Sequence, residues 1–231
     1  MQPYFFPYLG YWQLLNLVDR FVIYDDVNYI QRGWVNRNRI LINGAPSYLT
    51  LPLSNASQNK LICEISIDQT AKWRAKMLKS IEGAYRKSPF YAEIFPVVEN
   101  IIRYENANLS DFLKHQIFKL AEYIGIETQI VESSRGYSNT VLSGQERIID
   151  ICRREQASVY VNPEGGVTLY DSAAFVAEKL SIQFLKSNTR CYRQRSESFV
   201  PHLSVVDTLM AEGRDGVRAF LEDFVIIGEP F

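Results

Sequence analysis

Ser158-Val-Tyr-Val-Asn162, then the stretch from Tyr170 to Lys179, then Ser181-Ile-Gln-Phe-Leu-Lys186 read as strand, helix and strand in immediate succession. The two outer runs are short, apolar and rich in β-branched residues, and the middle one has helical spacing. Upstream the same alternation holds, with Glu127-Thr-Gln-Ile-Val131 as a strand and Gly144 to Arg154 as a helix. Strands separated by helices are what crossover connections of a parallel sheet require. The expectation is an α/β fold with a Rossmann-like, mostly parallel sheet.

The N-terminal part adds further elements. Gly10 to Val18 reads as a short helix, and Arg20-Phe-Val-Ile-Tyr24 as a buried strand ending at Asp25-Asp26. Asn38 to Ile42 and Ser47 to Leu51 flank Asn43-Gly44, a pair that favours a tight hairpin turn, and Leu61 to Ile67 reads as another short strand. From Thr70 to about Gly125 the spacing becomes helical, with Trp73, Met77, Ile81 and Tyr85 in phase. The organisation expected is a single α/β unit over 1–231 with a helical insertion or subdomain at 70–125.

Composition excludes several classes. Hydrophobic residues are 47% and charged residues 22% of 231, values typical of globular chains. Lys+Arg 25 against Asp+Glu 26 leaves no basic excess for sequence-independent nucleic-acid binding. No apolar run reaches the roughly 20 residues needed to span a bilayer, and the first residues lack the pattern of a secretory signal, so a cytoplasmic location is expected. Cys63, Cys152 and Cys191 lack metal or redox spacing, and two histidines, His115 and His202, are too few for a multi-histidine metal site.

Ligands of open α/β sheets bind beyond the carboxyl ends of strands. Three segments suit such a place. The first, Met1 to Gln13, combines prolines and aromatics with the polar groups of Gln2, Tyr4, Tyr8, Tyr11 and Gln13, and leads into a helix start. The second carries Asp25, Asp26 and Asn28, followed by Trp34, Asn36, Arg37, Asn38 and Arg39, a composition suited to phosphate, carboxylate or sugar hydroxyls. One of the two carboxylates, Asp25 or Asp26, is the candidate for Mg²⁺ or a substrate amine. In the third, Asn162-Pro-Glu-Gly165-Gly166 leads towards Tyr170, and paired glycines let a backbone approach a ligand closely. Gln58, Asn59 and Lys60 form a polar loop, and Gln145 and Arg147 stand at a helix start. No GxGxxG or Walker A string is present, so neither a dinucleotide nor a P-loop site is supported.

Met1-Gln-Pro-Tyr-Phe-Phe-Pro-Tyr-Leu-Gly-Tyr11, Tyr24-Asp-Asp-Val-Asn-Tyr29, Trp34-Val-Asn-Arg-Asn-Arg39, Ser57-Gln-Asn-Lys60, Gly144-Gln-Glu-Arg147 and Asn162-Pro-Glu-Gly-Gly166 together resemble the WbqC-like family over nearly the whole chain. The family is associated with bacterial surface-polysaccharide and O-antigen gene clusters. The resemblance implies a transferase or ligase that modifies a nucleotide-linked amino sugar by attaching a glycyl or other acyl group through an amide, with ATP and Mg²⁺ as cofactors or with a thioester donor. The alternative is a non-catalytic nucleotide-sugar-binding or scaffold protein of the same pathway. Relatives commonly carry a few apolar residues before Met-Gln-Pro, so the expectation is that the chain begins inside its first strand. Tyr8-Leu-Gly-Tyr11 is also similar in position to the His-x-Gly-His motif of nucleotidylyltransferases and pantothenate-synthetase-like ligases. With tyrosine at both histidine positions the positive charge is gone, so Arg37, Arg39 or Lys60 must supply it. In this reading Tyr8, Tyr11, Asp25, Asp26 and Arg37 are catalytic, and Pro163 to Gly166 form the opposing wall.

Overall fold

A computed structural model describes residues 1–70 and 72–228. Position 71, at the start of the expected helical region, and positions 229–231 lie outside the described residues. In chain order the elements are α1 (Leu9–Leu17), β1 (Arg20–Val22), β2 (Arg37–Ile42), β3 (Ala45–Thr50), β4 (Leu53–Ser54), β5 (Ser66–Ile67), α2 (Lys72–Tyr85), α3 (Tyr91–Arg103), α4 (Leu109–Ile124), β6 (Gln129–Val131), α5 (Gly144–Arg154), β7 (Val159–Pro163), α6 (Ser172–Ala177), β8 (Ser181–Ser187), α7 (Val205–Phe220) and β9 (Phe224–Ile227).

The strand–helix–strand reading of 158–186 is borne out as β7, α6 and β8, with β7 and β8 parallel. Alternation along β8 sends Ile182 and Phe184 into one core and Leu185 into another. The first of these is a small cluster with Ile149 and Cys152 from α5, Phe175 from α6 and Leu180 from the turn before β8, and α1 packs on the opposite side of β7 and β8. The layer is thus a helix-covered α/β unit.

The large parallel sheet is not formed. Among the described residues parallel pairing is confined to β1 with β6 and β7 with β8, and β9 joins β8 antiparallel. The physical reason lies at the facing edges of β1 and β7. Met1 takes one edge of the first strand: its amine donates to the Val22 carbonyl at 2.7 Å and its carbonyl accepts from the Tyr24 amide at 2.9 Å. β1 and β7 do not pair, and both line a cleft of about 530 Å³ together with Met1. The architecture is therefore mixed α/β with several small sheets.

The hairpin forms as expected. β2 and β3 pair antiparallel, and the connecting Asn43 and Gly44 have φ of 52° and 79°, the two positive values of a type I′ turn. Leu61 to Ile67 is not one strand. Ile62–Glu64 coil into a 3-10 turn in which the Glu64 side chain accepts from the Leu61 amide, leaving Ser66–Ile67 to pair with β4.

Helices α2, α3, α4 and α7 share one continuous core with Phe5, Phe6, Tyr11 and Trp12. α4 is capped at both ends: the Asn108 side chain accepts from the Asp111 amide, and Gly125 closes the helix in a left-handed conformation. His115 on this helix stacks on Tyr104 at 3.8 Å, with its Nε2 buried and unpartnered. Burial, then the nearby Lys119, lowers its pKa below the ordinary 6.5. The unfolded chain takes up that proton first, so this contribution to stability is complete above pH 6.5 and is lost as pH falls below it. Thermal melts between pH 7 and 5 are expected to show a smaller acid-side fall in Tm for His115→Gln than for the natural chain. Equal falls in the two proteins would refute the assignment.

Candidate functional site

The aromatic-proline segment is a buried irregular loop, so its backbone groups need partners other than a helix or sheet. Side chains supply them. Asn38 donates to the Phe5 and Phe6 carbonyls at 3.2 and 2.8 Å, Gln116 accepts from the Phe6 amide at 2.9 Å, and Trp12 donates to the Pro7 carbonyl at 3.1 Å. Phe6 is fully buried with φ of 40°, an uncommon conformation for a bulky residue, held by these bonds. The loop delivers Tyr8 to the N-terminus of α1, where Gly10 matters: a Cβ there would lie 2.5 Å from the Tyr8 ring.

Tyr8 is one wall of a groove of about 310 Å³. Trp34, Asn38 and Arg39 at the start of the hairpin form a second wall, and Pro163, Glu164 and Gly165 at the end of β7 form the third. The sequence-based expectation placed Pro163 to Gly166 opposite the N-terminal segment, and the groove has that arrangement for residues 163–165. Gly166 lies behind it, where a Cβ would collide with the Asn162 side chain. Asn162 in turn donates to the hydroxyls of Tyr160 at 2.6 Å and Tyr170 at 3.3 Å, so Asn162 and Tyr170 brace the turn.

The groove is mostly apolar in its lining, with charged groups, Arg39 and Glu164, on facing walls. Glu164 pairs with Lys186 at 3.5 Å on one side. On the other, Arg39 lies with its guanidinium carbon 5.8 Å from the Trp34 ring centre, and Trp34 is 40% exposed. Burial, and then the Glu164 charge, raises the Tyr8 pKa, so its hydroxyl stays protonated at neutral pH and can donate. His202 closes one end, its ring edge-on to Tyr8 at 5.8 Å. It belongs to a segment, 188–203, fastened to α7 by the Tyr192 hydroxyl donating to Asp207 at 2.8 Å.

Asp25 and Asp26 form a separate, buried network. Asp25 accepts from Ser110 at 2.5 Å and Ser133 at 2.6 Å, one hydroxyl on each oxygen. Asp26 accepts from Ser134 and from the Arg147 Nη2 at 2.6 Å, and Arg147 is itself 3% exposed. Arg147 also donates to the Asp26 carbonyl and to Asn139, and its guanidinium stands 4.9 Å from the Tyr24 ring centre. Every carboxylate oxygen has a donor, one of them a cation, and no group of three His, Cys, Asp or Glu side chains suited to a metal ion occurs among the described residues. The arrangement does not fit Mg²⁺ at Asp25 or Asp26.

The remaining candidates lie outside the groove. Tyr11 is fully buried and donates to the Gln2 carbonyl, and burial holds its hydroxyl pKa well up. Tyr4 packs against Tyr11 at 5.7 Å. Gln13 donates to the Phe220 and Asp223 carbonyls, closing the end of α7. Asn36 accepts from Tyr29 and donates to the Leu51 carbonyl, and Arg37 donates to the Gly33 and Arg32 carbonyls, closing the loop before β2. Gln145 accepts from the Asp171 amide. Asn28, Gln58 and Asn59 are exposed, and the Lys60 carbonyl accepts from the Tyr29 amide. The groove adds Leu185, Ser187 and His202 to the residues expected. Glu164 sat inside the Asn162-Pro-Glu-Gly-Gly string, whereas nothing local marked His202.

A groove between a helix start, a hairpin and a glycine turn is the candidate site of this mixed α/β chain. The chain belongs to the WbqC-like protein family, whose model matches residues 2–219. It is also similar to the "Uncharacterized protein Rv1507c" of Mycobacterium tuberculosis, 29% identical over 221 residues, which is 93% of each chain. No solved structure matches it. No helix among the described residues is long and apolar enough to cross a membrane.

Proposed function

We propose that the chain is an enzyme of bacterial surface-glycan biosynthesis that forms an amide on a nucleotide-linked amino sugar held in the groove. One observation carries the reading: three segments far apart in sequence, at Tyr8, Trp34–Arg39 and Pro163–Gly165, meet around a cavity of about 310 Å³ with an exposed indole and opposite charges on facing walls. A zwitterionic ligand with a flat ring suits such a place. Glu164, only loosely paired with Lys186 at 3.5 Å, exchanges that partner for the sugar amino group and takes its proton, Tyr8 donates to a ligand oxygen, and Trp34 takes the ring face. The acyl group arrives either on ATP-activated amino acid or on a thioester, and the protein works in the cytoplasm on small molecules without nucleic-acid or membrane partners.

The saturated hydrogen bonding of Asp25 and Asp26 favours a second reading, a binding protein of the same pathway, because it removes two acidic groups from the list of free bases. One experiment separates the two. The protein is incubated with a panel of amino-sugar nucleotides and either glycine with ATP·Mg²⁺ or an acyl thioester, and products are weighed by mass spectrometry. The expected result is one sugar gaining the mass of one acyl residue, with Trp34→Ala lowering kcat/KM about tenfold to hundredfold, as loss of ring stacking does. Calorimetric binding of a nucleotide sugar without any mass gain would replace the enzyme with the binder.

A further inference from the structure

We infer that Arg39 is the anion subsite of the groove and that it takes the phosphate or diphosphate ester of a ligand whose ring lies on Trp34. The inference rests on the groove of the proposed activity but not on the reaction.

A guanidinium has five N–H donors, and a buried one without an acceptor is costly. Arg39 uses one: its Nη2 donates to the Pro201 carbonyl, at a long 3.3 Å. Its Nε is buried with no partner, and no ion pair among the described residues includes it. The contrast with the neighbouring arginine is informative. Arg37 lies two residues away on the same face of β2, and its guanidinium is satisfied by the carbonyls of Gly33 and Arg32 while it covers the Tyr48 ring at 4.3 Å. Arg147 is satisfied as well. Arg39 is the arginine that pairs a buried, unpartnered N–H with a position on a cavity wall.

The surroundings favour a phosphate. The carboxylate that lines the same groove, Glu164, is engaged with Lys186 on the other wall. α1 opens here with no acidic residue in its first turn and no side-chain cap from Tyr8, so the positive end of its dipole adds to the Arg39 charge. Beside the groove lies a separate narrow recess of about 40 Å³, sharing Tyr8, Ser187 and His202 with it and adding Thr189, so that hydroxyl and imidazole groups stand near for more oxygens than a carboxylate has. The planar fork of Arg39 matches two phosphate oxygens, and the indole beside it gives a ring a surface to lie on.

The test is calorimetric titration of the full chain with uridine 5′-diphosphate, pyrophosphate, acetate and glucosamine. Uridine 5′-diphosphate and pyrophosphate are expected to bind, acetate and glucosamine to bind at least a hundredfold more weakly. Arg39→Gln is expected to weaken both phosphate probes about thirtyfold, the loss of charge-assisted hydrogen bonds. Trp34→Ala is expected to weaken uridine 5′-diphosphate about tenfold and leave pyrophosphate within twofold. Unchanged binding by a folded Arg39→Gln, absence of binding by both phosphate probes, or acetate binding as tightly as pyrophosphate would each overturn the inference. If Arg39→Gln fails to fold, Arg39→Lys, which keeps the charge and loses the fork, carries the same comparison with a smaller expected loss of about fivefold. Amide formation with an unaltered KM in Arg39→Gln would sink this subsite and leave the reaction standing. Phosphate binding lost with Arg39, but no turnover of any sugar, would do the reverse.

Discussion

Arg147→Ala is expected to lose about 3–5 kcal/mol of folding stability, the usual effect of removing one partner of a buried ion pair. The Asp26 carboxylate and the Arg147 guanidinium meet at 2.6 Å with side-chain exposures of 3% and 4%. Without the guanidinium, Asp26 keeps the Ser134 hydroxyl as its side-chain donor and remains an uncompensated charge away from water. The change also strips a donor from Asn139, whose amide holds Asp150, and removes the cation from the Tyr24 ring. Urea denaturation followed by circular dichroism measures the loss. Because most of it arises from the stranded carboxylate, Asp26→Asn combined with Arg147→Met is expected to recover at least half. A double variant as unstable as Arg147→Ala alone would show that the charge is not the cause. The exposed Arg103–Glu99 pair provides the scale: Arg103→Ala is expected to change stability by less than about 1 kcal/mol.

Gly213→Ala is expected to destabilise the chain by about 3 kcal/mol or more, for two reasons that add. Within α7 the backbone at Gly213 has φ 69° and ψ −173°, a region open to glycine and closed to residues with a Cβ. A Cβ there would also stand 2.6 Å from two ring carbons of Phe90. Phe90 is tied to the same turn, since its amide donates to the Met210 carbonyl at 3.3 Å, so ring and helix cannot easily part. The two contributions separate by experiment. Phe90→Leu in the Gly213→Ala background relieves the collision and not the backbone strain, so it is expected to recover only part of the lost urea midpoint. Full recovery, or a single variant within 1 kcal/mol of the natural chain, would contradict this account.

Several elements were legible because their signals are local. The Asn43-Gly44 turn needs two positive φ angles, which that pair accommodates, and the hairpin followed. α5 has the expected bounds, Gly144–Arg154, and β7, α6 and β8 are close to theirs. α7 and β9 were missed. Ser204 as its cap and the spacing of Val205, Val206, Leu209 and Met210 mark the helix, but Gly213 and the charged residues after it break the pattern. The large parallel sheet failed because alternation of strands and helices says nothing about which strand edges meet. That depends on which distant segment lies along each edge, as Met1 does along β1.

The site divides in the same way. Tyr8, Trp34, Asn38 and Gly165 stood out as rare aromatic, amide and glycine positions, and they do line one groove. Asp25, Asp26 and Arg147 stood out equally, and packing turned them into an internal ion-pair network. Composition and short-range chemistry established an α/β chain with a strand–helix–strand unit, a type I′ hairpin and family-defining strings of residues. Which of those residues line the groove and which are locked inside was decided by long-range packing, because a carboxylate or guanidinium has the same chemistry in either place. Its role follows from the donors and acceptors that distant segments place within 3 Å of it, as Ser110 and Ser133 do for Asp25 and as none among the described residues does for the Nε of Arg39.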